Sequence, residues 1–518
     1  MSDTNRVGVA IARSGGATFP SALTSLNRMR ITGTPNLAFD PLTEVSNEIR
    51  DDRQQSDLIP IGAEAGGDVG FEWSYGVADD LIESALLGTW DNTASVTPAA
   101  GAQGTGLILA GGDDGFVTGQ IVKLIAPSVE PAGESLTSRL YEVGAIIADT
   151  SIAVTPLPIN ALDSLHADAS AMSSAFEAGA STVLKVVGFA PASDDIDTTA
   201  TGLVSPIGIF GDLIRGNGID GGNVETDFVP GHFIKLLGAP AVTAGINDVY
   251  VDVTAVPDAN TLTLNVPSSW EVSAATNDVF IFFGDVLINP ASPIALASRQ
   301  FSVERSFNDH TPVDRELFLQ MGVNTLMQEL SPQSIAVGTV GFFGTTARAR
   351  PQNLITELYA SGDPTRVEAP AFDVYNTSSN VAVLKTGGEP VGAGGANCIL
   401  NATVEINNNM RRQNAVGVFG ACGIGLGELS VTGALETYFD DLSLYNDVLN
   451  GTETSLDFIL KGNDGRSLLT HVPRIKFTGG APQVPGKNAD VVLPLAYQGL
   501  LSSNLGYTLS YQRFTFAT

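Results

Sequence analysis

An internal repeat limits what this chain can fold into more than any other feature of its sequence. The segment GFEWSY (residues 70–75) leads into DDL (79–81), and the segment GALETY (433–438) leads into DDL (440–442). In each copy, a strand-like run is followed by a stretch with helical periodicity. Repetition at this level predicts that one chain contains two related structural units.

The two predicted helices have the same construction. Each begins with a pair of aspartates, which the positive N-terminal end of a helix favours. Each then carries one apolar stripe and ends at a glycine, Gly88 in the first copy and Gly451 in the second. The stripes consist of Leu81, Ile82, Ala85 and Leu86 in the first copy and of Leu442, Tyr445, Val448 and Leu449 in the second.

Strand-like segments flank both helices in the same order. A strand, a long loop and a second strand precede each helix, and three strands follow it. The flanking segments are 29–39, 300–307, 317–327 and 335–343 in the first copy and 399–407, 455–460, 468–477 and 490–497 in the second. We interpret this order as a tandem duplication of one β-sandwich module with a single helix. The alternative is a chance similarity between two segments that mix strands and a helix.

An insertion interrupts the first module between residues 96 and 292. It contains its own repeat, FVTGQIVKL (116–124) and FVPGHFIKL (228–236). This repeat predicts two small, barrel-like β-domains at about 113–189 and 225–285. The insertion has 22 acidic and 5 basic residues, which suits a solvated outer decoration.

These patterns divide the chain into segments. The first module is expected at residues 1–95 and 293–350, on either side of the insertion (96–292), and a linker (351–395) leads to the second module (396–518). With 56 glycines, 27 prolines and 43% hydrophobic residues, the chain suits packed short strands joined by tight turns. The predicted fold class is mainly β: two tandem β-sandwich or barrel modules, each with one α-helix, plus an insertion of two small β-barrel-like domains.

Charge and cysteine content argue against several classes of protein. The net charge of −30 disfavours a DNA-binding regulator, because a grip on phosphates needs a basic surface. Cys398 and Cys422 are the only cysteines and form no CxxC pair, which indicates buried thiols rather than a disulfide bond, in a reducing cytoplasm. The first residues lack a signal-peptide pattern and no run approaches 18 apolar residues, so neither secretion nor membrane insertion is expected.

Residues that carry catalysis or bind metals occur without a recognisable arrangement. The four histidines, His166, His232, His310 and His471, lie in different predicted units. The run GIGLG (423–427) lacks the spacing and the βα context of a nucleotide-binding loop. The acidic pairs at 113–114 and 194–195 lack the glycine and distal glutamate of an EF-hand loop. We therefore expect no enzyme activity, no cofactor and no metal ion.

One mixed-charge segment, SNEIRDDRQ (46–54), stands out in the long loop of the first module. Read as a solvated loop, it needs no partner. Read as an arm, it makes charge-complementary contacts with a neighbouring subunit, because it presents both signs of charge within nine residues. The candidate contact residues are Asn47, Glu48, Arg50, Asp51, Asp52 and Arg53.

Five stretches of the two modules match a known family. They are SNEIR with DRQ (46–54), residues 67–87, INNN (406–409), GIGLG through VTG (423–433), and residues 450–498 with PRIKF and KNADV. In these stretches the chain resembles the major tail tube proteins of bacteriophages with long, non-contractile tails. The resemblance covers residues 1–95 and about 293–518. Family members join these two parts directly, so the insertion is a departure from the family.

The resemblance implies a structural virion protein rather than an enzyme. Such proteins polymerise into stacked rings that form a hollow tail tube, through which double-stranded genomic DNA passes without specific binding. Rings of six modules are general in these tubes, so a chain with two modules is expected to form a trimer with pseudo-sixfold symmetry. The implied partners are the chain itself, a tape measure protein, a tail terminator and a distal tail protein. The implied location is the virion tail, assembled in the host cytoplasm.

Simple geometry agrees with this expectation. About four lumen strands in each of six modules give roughly 24 strands, and barrels of about 16 to 18 strands already enclose an aqueous channel. The alternative function is a β-rich surface adhesin or glycan-binding virion protein that displays the inserted domains. Scattered aromatic residues such as Tyr141, Tyr250 and Trp270 fit a core better than a sugar platform. An enzyme ranks third, because no nucleophile, base or metal constellation is evident.

Overall fold

Strands make up most of the protein. The computed structural model describes residues 6–13, 18–33, 35–49, 51–52, 54–93, 95–96, 101–103, 106–108, 116–125, 140–147, 151–156, 176–178, 183–190, 197–204, 228–238, 249–258, 260–266, 279–369, 372–387, 389–390, 398–462 and 466–515. It has 35 strands in these residues and two α-helices, α1 (Asp79–Leu86) and α2 (Ser443–Asn450). Short 3-10 helices occur at Pro293–Ala295 and Gln352–Glu357. The prediction of a mainly β fold is confirmed.

The strands before and within the insertion are β1 (Val7–Arg13), β2 (Ser25–Arg28), β3 (Ile31–Thr32), β4 (Ala38–Val45), β5 (Leu58–Glu72), β6 (Ser95–Val96), β7 (Gly101–Gln103), β8 (Gly106–Ile108), β9 (Gln120–Ile125), β10 (Leu140–Ile147), β11 (Ser151–Pro156), β12 (Phe176–Ala178), β13 (Val183–Phe189), β14 (Asp197–Thr199), β15 (Gly202–Val204), β16 (Phe233–Gly238), β17 (Val249–Asp258), β18 (Thr261–Leu264) and β19 (Val279–Phe282).

The strands after the insertion are β20 (Asp285–Ile288), β21 (Phe301–Phe307), β22 (Asp314–Leu330), β23 (Val337–Gly344), β24 (Thr346–Pro351), β25 (Thr365–Val367), β26 (Val381–Thr386), β27 (Glu389–Pro390), β28 (Ile399–Asn407), β29 (Arg411–Asn414), β30 (Ala421–Gly425), β31 (Ser430–Tyr438), β32 (Glu453–Lys461), β33 (Ser467–Gly480), β34 (Val492–Gly499) and β35 (Ser510–Phe514). Strand β26 lies within the segment expected to be a linker.

Eight strands form one continuous antiparallel sheet, which we call the central sheet. Its order is β4–β5–β23–β22–β28–β31–β34–β33. The first four strands come from the first half of the chain and the last four from the second half. The two halves therefore meet edge to edge, at the pairing of β22 with β28.

The long strands β22 and β33 also belong to an outer layer. The N-terminal part of β22 pairs with β21 and β24, and β21 pairs with β1. In the second half, β33 pairs in the same way with β32 and β35, and β32 pairs with β26. Apolar side chains of both layers and of both helices share one core, which includes Val9, Phe71, Ile82, Val303 and Leu444. Each half is thus a β-sandwich with one helix.

The strand register repeats between the halves, residue for residue. Gly67 pairs with Phe342 as Gly433 pairs with Tyr497. A bulge interrupts β22 at Asn324, and the equivalent bulge interrupts β33 at Thr478. We call β1, β4, β5, α1 and β21–β24 the first module and β26, β28, β31, α2 and β32–β35 the second module.

The sequence match was three residues out of step with this register. It aligned Gly70 with Gly433, whereas strand pairing aligns Gly67 with Gly433. The connection from strand to helix is two residues longer in the first module, because α1 begins seven residues after Glu72 and α2 begins five residues after Tyr438. Matching DDL to DDL therefore cannot keep the strands in register.

The ends of the two helices differ. Gly451 takes the left-handed conformation after α2, with φ of 62°, as predicted. After α1 this position belongs to Leu87, with φ of 54°, so the prediction that Gly88 closes the helix is wrong. Gly88 has another role, because a Cβ there would lie 2.3 Å from the carbonyl oxygen of Ile288. Glycine is required for the close approach of β20.

The insertion does not form the two barrels that its repeat suggested. Strand β9 pairs with β10 and β13, and β16 pairs in the same arrangement with β17 and β19. The last strands of the two repeats, β13 and β19, pair with each other at Gly188–Phe282 and Phe189–Ile281. One sheet and one core thus span both repeats, and no sheet in the described residues closes on itself. The pairing of β13 with β19 gives hydrogen-bond partners to strand edges that would have been paired within two closed barrels.

The insertion also packs firmly on the second module. The side chain of Gln512 on β35 accepts a hydrogen bond from the Phe233 amide at 2.7 Å and donates one to the Phe233 carbonyl at 2.6 Å. Lys123 donates to the Thr515 carbonyl at 3.2 Å, and the ring centroids of Tyr250 and Phe514 lie 5.4 Å apart. Part of the insertion is therefore a packing layer and not only a solvated decoration.

Candidate assembly surfaces

The junction between the modules is a complete strand pairing. Residues Thr325–Leu330 of β22 run antiparallel to Ala402–Asn407 of β28 in six consecutive pairs. Leu326 and Ile406 face each other across the junction and are buried in the core. This pairing shows how one module of this sequence accepts the edge of another.

The same two edges exist a second time without a partner. By the repeated register, the edge of β22 corresponds to residues 479–484 at the end of β33, and the edge of β28 corresponds to residues 35–40 at the start of β4. Among the described residues, no strand pairs with the outer side of either segment. Phe39 and Val484 are exposed, the latter by 74%, and a Cβ on Gly479 would meet open space. The chain thus presents two complementary free edges.

One face of the central sheet faces away from the core and is acidic. Residues opposite each other in neighbouring strands point to the same face. Glu72 and Glu329 both pair with Val337 on this face, Asp68 pairs with Gly341, and Glu405 pairs with Met327. Acidic residues of the central sheet on this face include Asp68, Glu72, Glu329, Glu405 and Glu436, and Lys476 of β33 is a basic residue on it.

A hairpin of the second module crosses this face of the first module. It comprises residues 408–429 between β28 and β31 and contains β29 and β30. Arg412 bonds to the Glu64 carboxylate at 3.1 Å and to the Ala65 carbonyl at 2.9 Å. Its guanidinium lies 3.8 Å from the ring centroid of Phe343. The hairpin is therefore fixed on β5 and β23 by charge and by a cation–π contact.

The equivalent hairpin of the first module projects from the fold. Strands β4 and β5 continue as a ribbon, and we call residues 38–64 the arm. The predicted contact residues Asn47, Glu48, Asp51 and Asp52 lie exposed at its end, where Asp52 accepts a hydrogen bond from the Gln54 amide at 3.2 Å. Arg50 and Arg53 lie outside the described residues. Contact with a neighbouring subunit stays a prediction.

Sequence reasoning missed the apolar part of the arm. Leu42, Val45, Leu58, Ile59 and Ile61 all expose large apolar side chains, Leu58 by 57%. Several large exposed apolar side chains on one ribbon mark an interaction surface. The sequence interpretation of the arm relied on its charged residues. The apolar run LIPI (58–61), at the start of β5 and before its glycines, could have indicated an apolar surface.

Histidines do not assemble a catalytic or metal site in the described residues. His471 is buried and hydrogen-bonds through Nδ1 to Asp457, and His310 pairs with Asp314 at 2.6 Å. Burial opposes the charged imidazolium of His471, yet the Asp457 carboxylate holds the pKa of His471 above its ordinary value. No group of three metal-ligating side chains occurs in the described part of the chain. Cys398 and Cys422 are free and exposed, so the prediction that these thiols are buried is wrong. His166, Trp270 and the acidic pairs at 113–114 and 194–195 lie outside the described residues.

Two open clefts flank the second module and α1. The first, of about 540 Å³, lies between the insertion and β33 and is lined by Asp252, His471 and Arg474. The second, of about 490 Å³, lies beside α1 and is lined by Arg13, Asp79, Glu83, Trp90 and Arg513. Charged side chains that line the clefts form ion pairs, Arg474 with Glu453 and Arg513 with Asp79. No described helix is both long and apolar enough to cross a lipid bilayer.

A family model described as phage tail tube protein matches residues 3–188 and 150–499, two overlapping stretches that together span most of the chain. No curated protein matches the sequence significantly.

Proposed function

The chain belongs to the phage tail tube protein family and is a structural component of the virion tail, and from this premise we propose that three chains close into a ring. Six modules then surround one channel with pseudo-sixfold symmetry. The rings stack into a tube that conducts double-stranded DNA. A tape measure protein, a tail terminator and a distal tail protein remain predicted partners, and the absence of enzyme activity remains a prediction for a member of a structural family.

The observation that carries the proposal is the internal junction of β22 with β28. The free edge at 479–484 and the free edge at 35–40 are the register equivalents of that junction. Joining them between chains places Gly479 opposite Asp40 and Gly480 opposite Phe39. Such a contact is heterologous, and heterologous contacts form a ring when the rotation closes. Closure also removes the exposed edges that would otherwise aggregate.

The two faces of the central sheet favour one direction of closure. The helices, the outer strands and the insertion all lie on or beyond the core side, where a ring has the larger circumference. The opposite face, apart from the end that the hairpin 408–429 crosses, then lines the channel, with eight strands from each of three chains. Its carboxylates, including Glu72, Glu329 and Glu405, repel phosphates. DNA passes because no row of lysines or arginines holds it.

Electron microscopy of the purified protein tests this proposal. The insertion occurs once per chain, so end-on views are expected to show a hollow ring with six inner modules and three outer lobes. Six lobes would contradict the trimer, because they require six chains per ring. A preparation that stays monomeric in the presence of a tail-tip initiator would contradict polymerisation itself.

A further inference from the structure

We propose that the arm of the first module, residues 38–64, binds across the second module of the neighbouring chain in the same ring. The inference rests on the proposed ring and adds a second contact to it. The partner is a second copy of this chain, and the surface it offers is a strip on β33 and β34. We call this strip the receiving strip; it consists of Lys476, Thr478, Ala496 and Gln498.

The template for this contact lies within one chain. The hairpin at 408–429 follows β28, the strand of the second module that forms the junction. Its first residues contact the bulge of β22. The Asn408 amide donates to the Asn324 carbonyl at 2.8 Å, and the Met410 amide donates to the Asn324 side-chain oxygen at 2.8 Å. The Asn408 side chain reaches further, to the carbonyls of Ala85 and Val323 at 2.9 and 3.0 Å. The hairpin is thus anchored where it leaves the junction.

The hairpin then crosses β23 and reaches β5. Arg412 lies over Phe343 and binds Glu64, as described above. Further along, the backbone at Gly420 approaches the Thr345 carbonyl so closely that a Cβ would lie 2.9 Å from it. Module-to-module pairing and hairpin crossing are therefore parts of a single interface in this protein.

The repeated register maps this path onto the second module. Asn324 corresponds to Thr478, Phe343 to Gln498, and Glu64 to Ser430. The second module thus offers the same path across its strands as the first. In the single chain, Lys476, Thr478 and Ala496 along this path are exposed.

The arm leaves β4 as the hairpin leaves β28. Once β4 pairs with the end of β33, the ribbon is directed over β33 and onto β34 of the chain it has paired with. Val45 and Leu58 pair across the ribbon and therefore point to one face of it, where their exposed apolar side chains need such a surface. This continuity with the edge pairing selects the neighbour in the same ring over a chain in the next ring.

Cross-linking within assembled tubes distinguishes the two destinations of the arm. In a chain with Cys398→Ser and Cys422→Ser, the pair Val45→Cys and Gln498→Cys is treated with a short bismaleimide and analysed on a denaturing gel. Contacts within a ring give a covalent ladder that stops at three chains. A ladder beyond three chains shows that arms reach the next ring and overturns the proposal, as does the absence of cross-links in normal tubes.

Controls separate this result from the ring proposal. The pair Val45→Cys and Ile294→Cys keeps the arm cysteine and moves its partner to an exposed loop, so no ladder is expected. The pair Leu58→Cys and Ala496→Cys repeats the test if the first pair does not assemble. Micrographs of each sample report whether rings exist at all, independently of the ladder length.

Discussion

The two helices show most plainly how the modules differ. Every residue of α1 from Leu81 to Leu86 is buried, whereas α2 buries only Leu444 fully and leaves Leu449 64% exposed. Two neighbours cover α1. Asn408 of the second module caps its last turn, and the chain returning from the insertion lies beside it, where the Ser84 hydroxyl donates to the Arg299 carbonyl at 3.2 Å. Among the described residues, the second module has neither neighbour.

The difference teaches how to interpret the exposed surfaces. What the chain itself covers in the first module identifies what another chain must cover in the second. The edge at 479–484, the receiving strip and the outer side of α2 all belong to this set. The modules are alike in sequence order and register, so their unlike surfaces reflect position in the assembly rather than a different fold.

The largest expected effect separates the filled junction from the free edge. Ile406 and Phe39 are register equivalents, one buried at the junction and one exposed. Ile406→Asp should destabilise the single chain by about 4 kcal/mol, because it buries a charge in the core. Phe39→Asp should change urea unfolding of the chain by less than about 1 kcal/mol and yet abolish ring assembly. Normal tubes from Phe39→Asp, with Phe39→Leu as the matched control, would contradict the shared role of the two edges.

The buried acids of the modules offer a comparison by pH. Glu304 and Asp457 are register equivalents. Glu304 is held by Arg315 and Arg366 at 3.1 and 2.7 Å, whereas Asp457 is held by His471. Half-buried Asp252 is a second nearby carboxylate that favours the charged histidine.

Because the pKa of His471 is raised in the folded state, its stabilising contribution is fully present below the unfolded value of about 6.5. The contribution is lost as pH rises through the folded pKa. Urea midpoints measured from pH 5.5 to pH 9 should therefore fall, and His471→Gln should flatten the curve. The partners of Glu304 are arginines, a residue type that is not deprotonated in proteins. A wild-type midpoint that is constant across the range would refute this assignment.

Retention of DNA by charge-reversed tubes tests which side of the central sheet lines the channel. Glu329→Lys with Glu405→Lys reverses charge on the uncovered face, and the resulting tubes should retain duplex DNA. Retention should weaken with salt, each new phosphate contact adding about −0.9 to the logarithmic salt slope. Asp258→Lys with Glu368→Lys makes the same charge change at exposed positions elsewhere and should not retain DNA inside the tube. Equal retention by both variants would show that the uncovered face does not line the channel.

The smallest expected effect concerns the tip of the arm. Arg50→Glu with Arg53→Glu should impair ring stacking and shorten tubes, because the segment 46–54 then loses its mixed charge. Tube lengths measured in micrographs check this, with Arg50→Lys and Arg53→Lys as the charge-preserving control. An unchanged length distribution would leave the tip as a solvated loop, without affecting the contact proposed for the apolar part of the arm.

The sequence was informative wherever a pattern was local. Strand-like segments such as 300–307 and 399–407 lie within one or two residues of β21 and β28, and Gly451 ends α2 as its dipeptide Asn-Gly predicts. The repeats in the modules and in the insertion were legible because each copy preserves strand and turn residues. These features depend on neighbours along the chain.

The remaining features depend on residues far apart in sequence. The sequence match aligned Gly70 instead of Gly67 with Gly433. It did so because the connection from strand to helix differs in length between the modules, whereas the strand pairing is the same. The inserted repeats joined through β13 and β19, which no alternation pattern could distinguish from closure of separate barrels. The hairpin contact of Arg412 with Glu64 spans more than 300 residues, so only the fold could reveal it. Which face of a strand is uncovered likewise follows from pairing, not from period.

A reconstruction of the assembled tube at residue resolution tests the central claim most directly. The account predicts that β33 of one chain runs antiparallel to β4 of the next, with Gly479 opposite Asp40 and Gly480 opposite Phe39, in the register of the internal junction. Modules would then be spaced equally around the ring, within and between chains. A different register, a different pair of strands, or an unpaired β4 in the closed ring would contradict it.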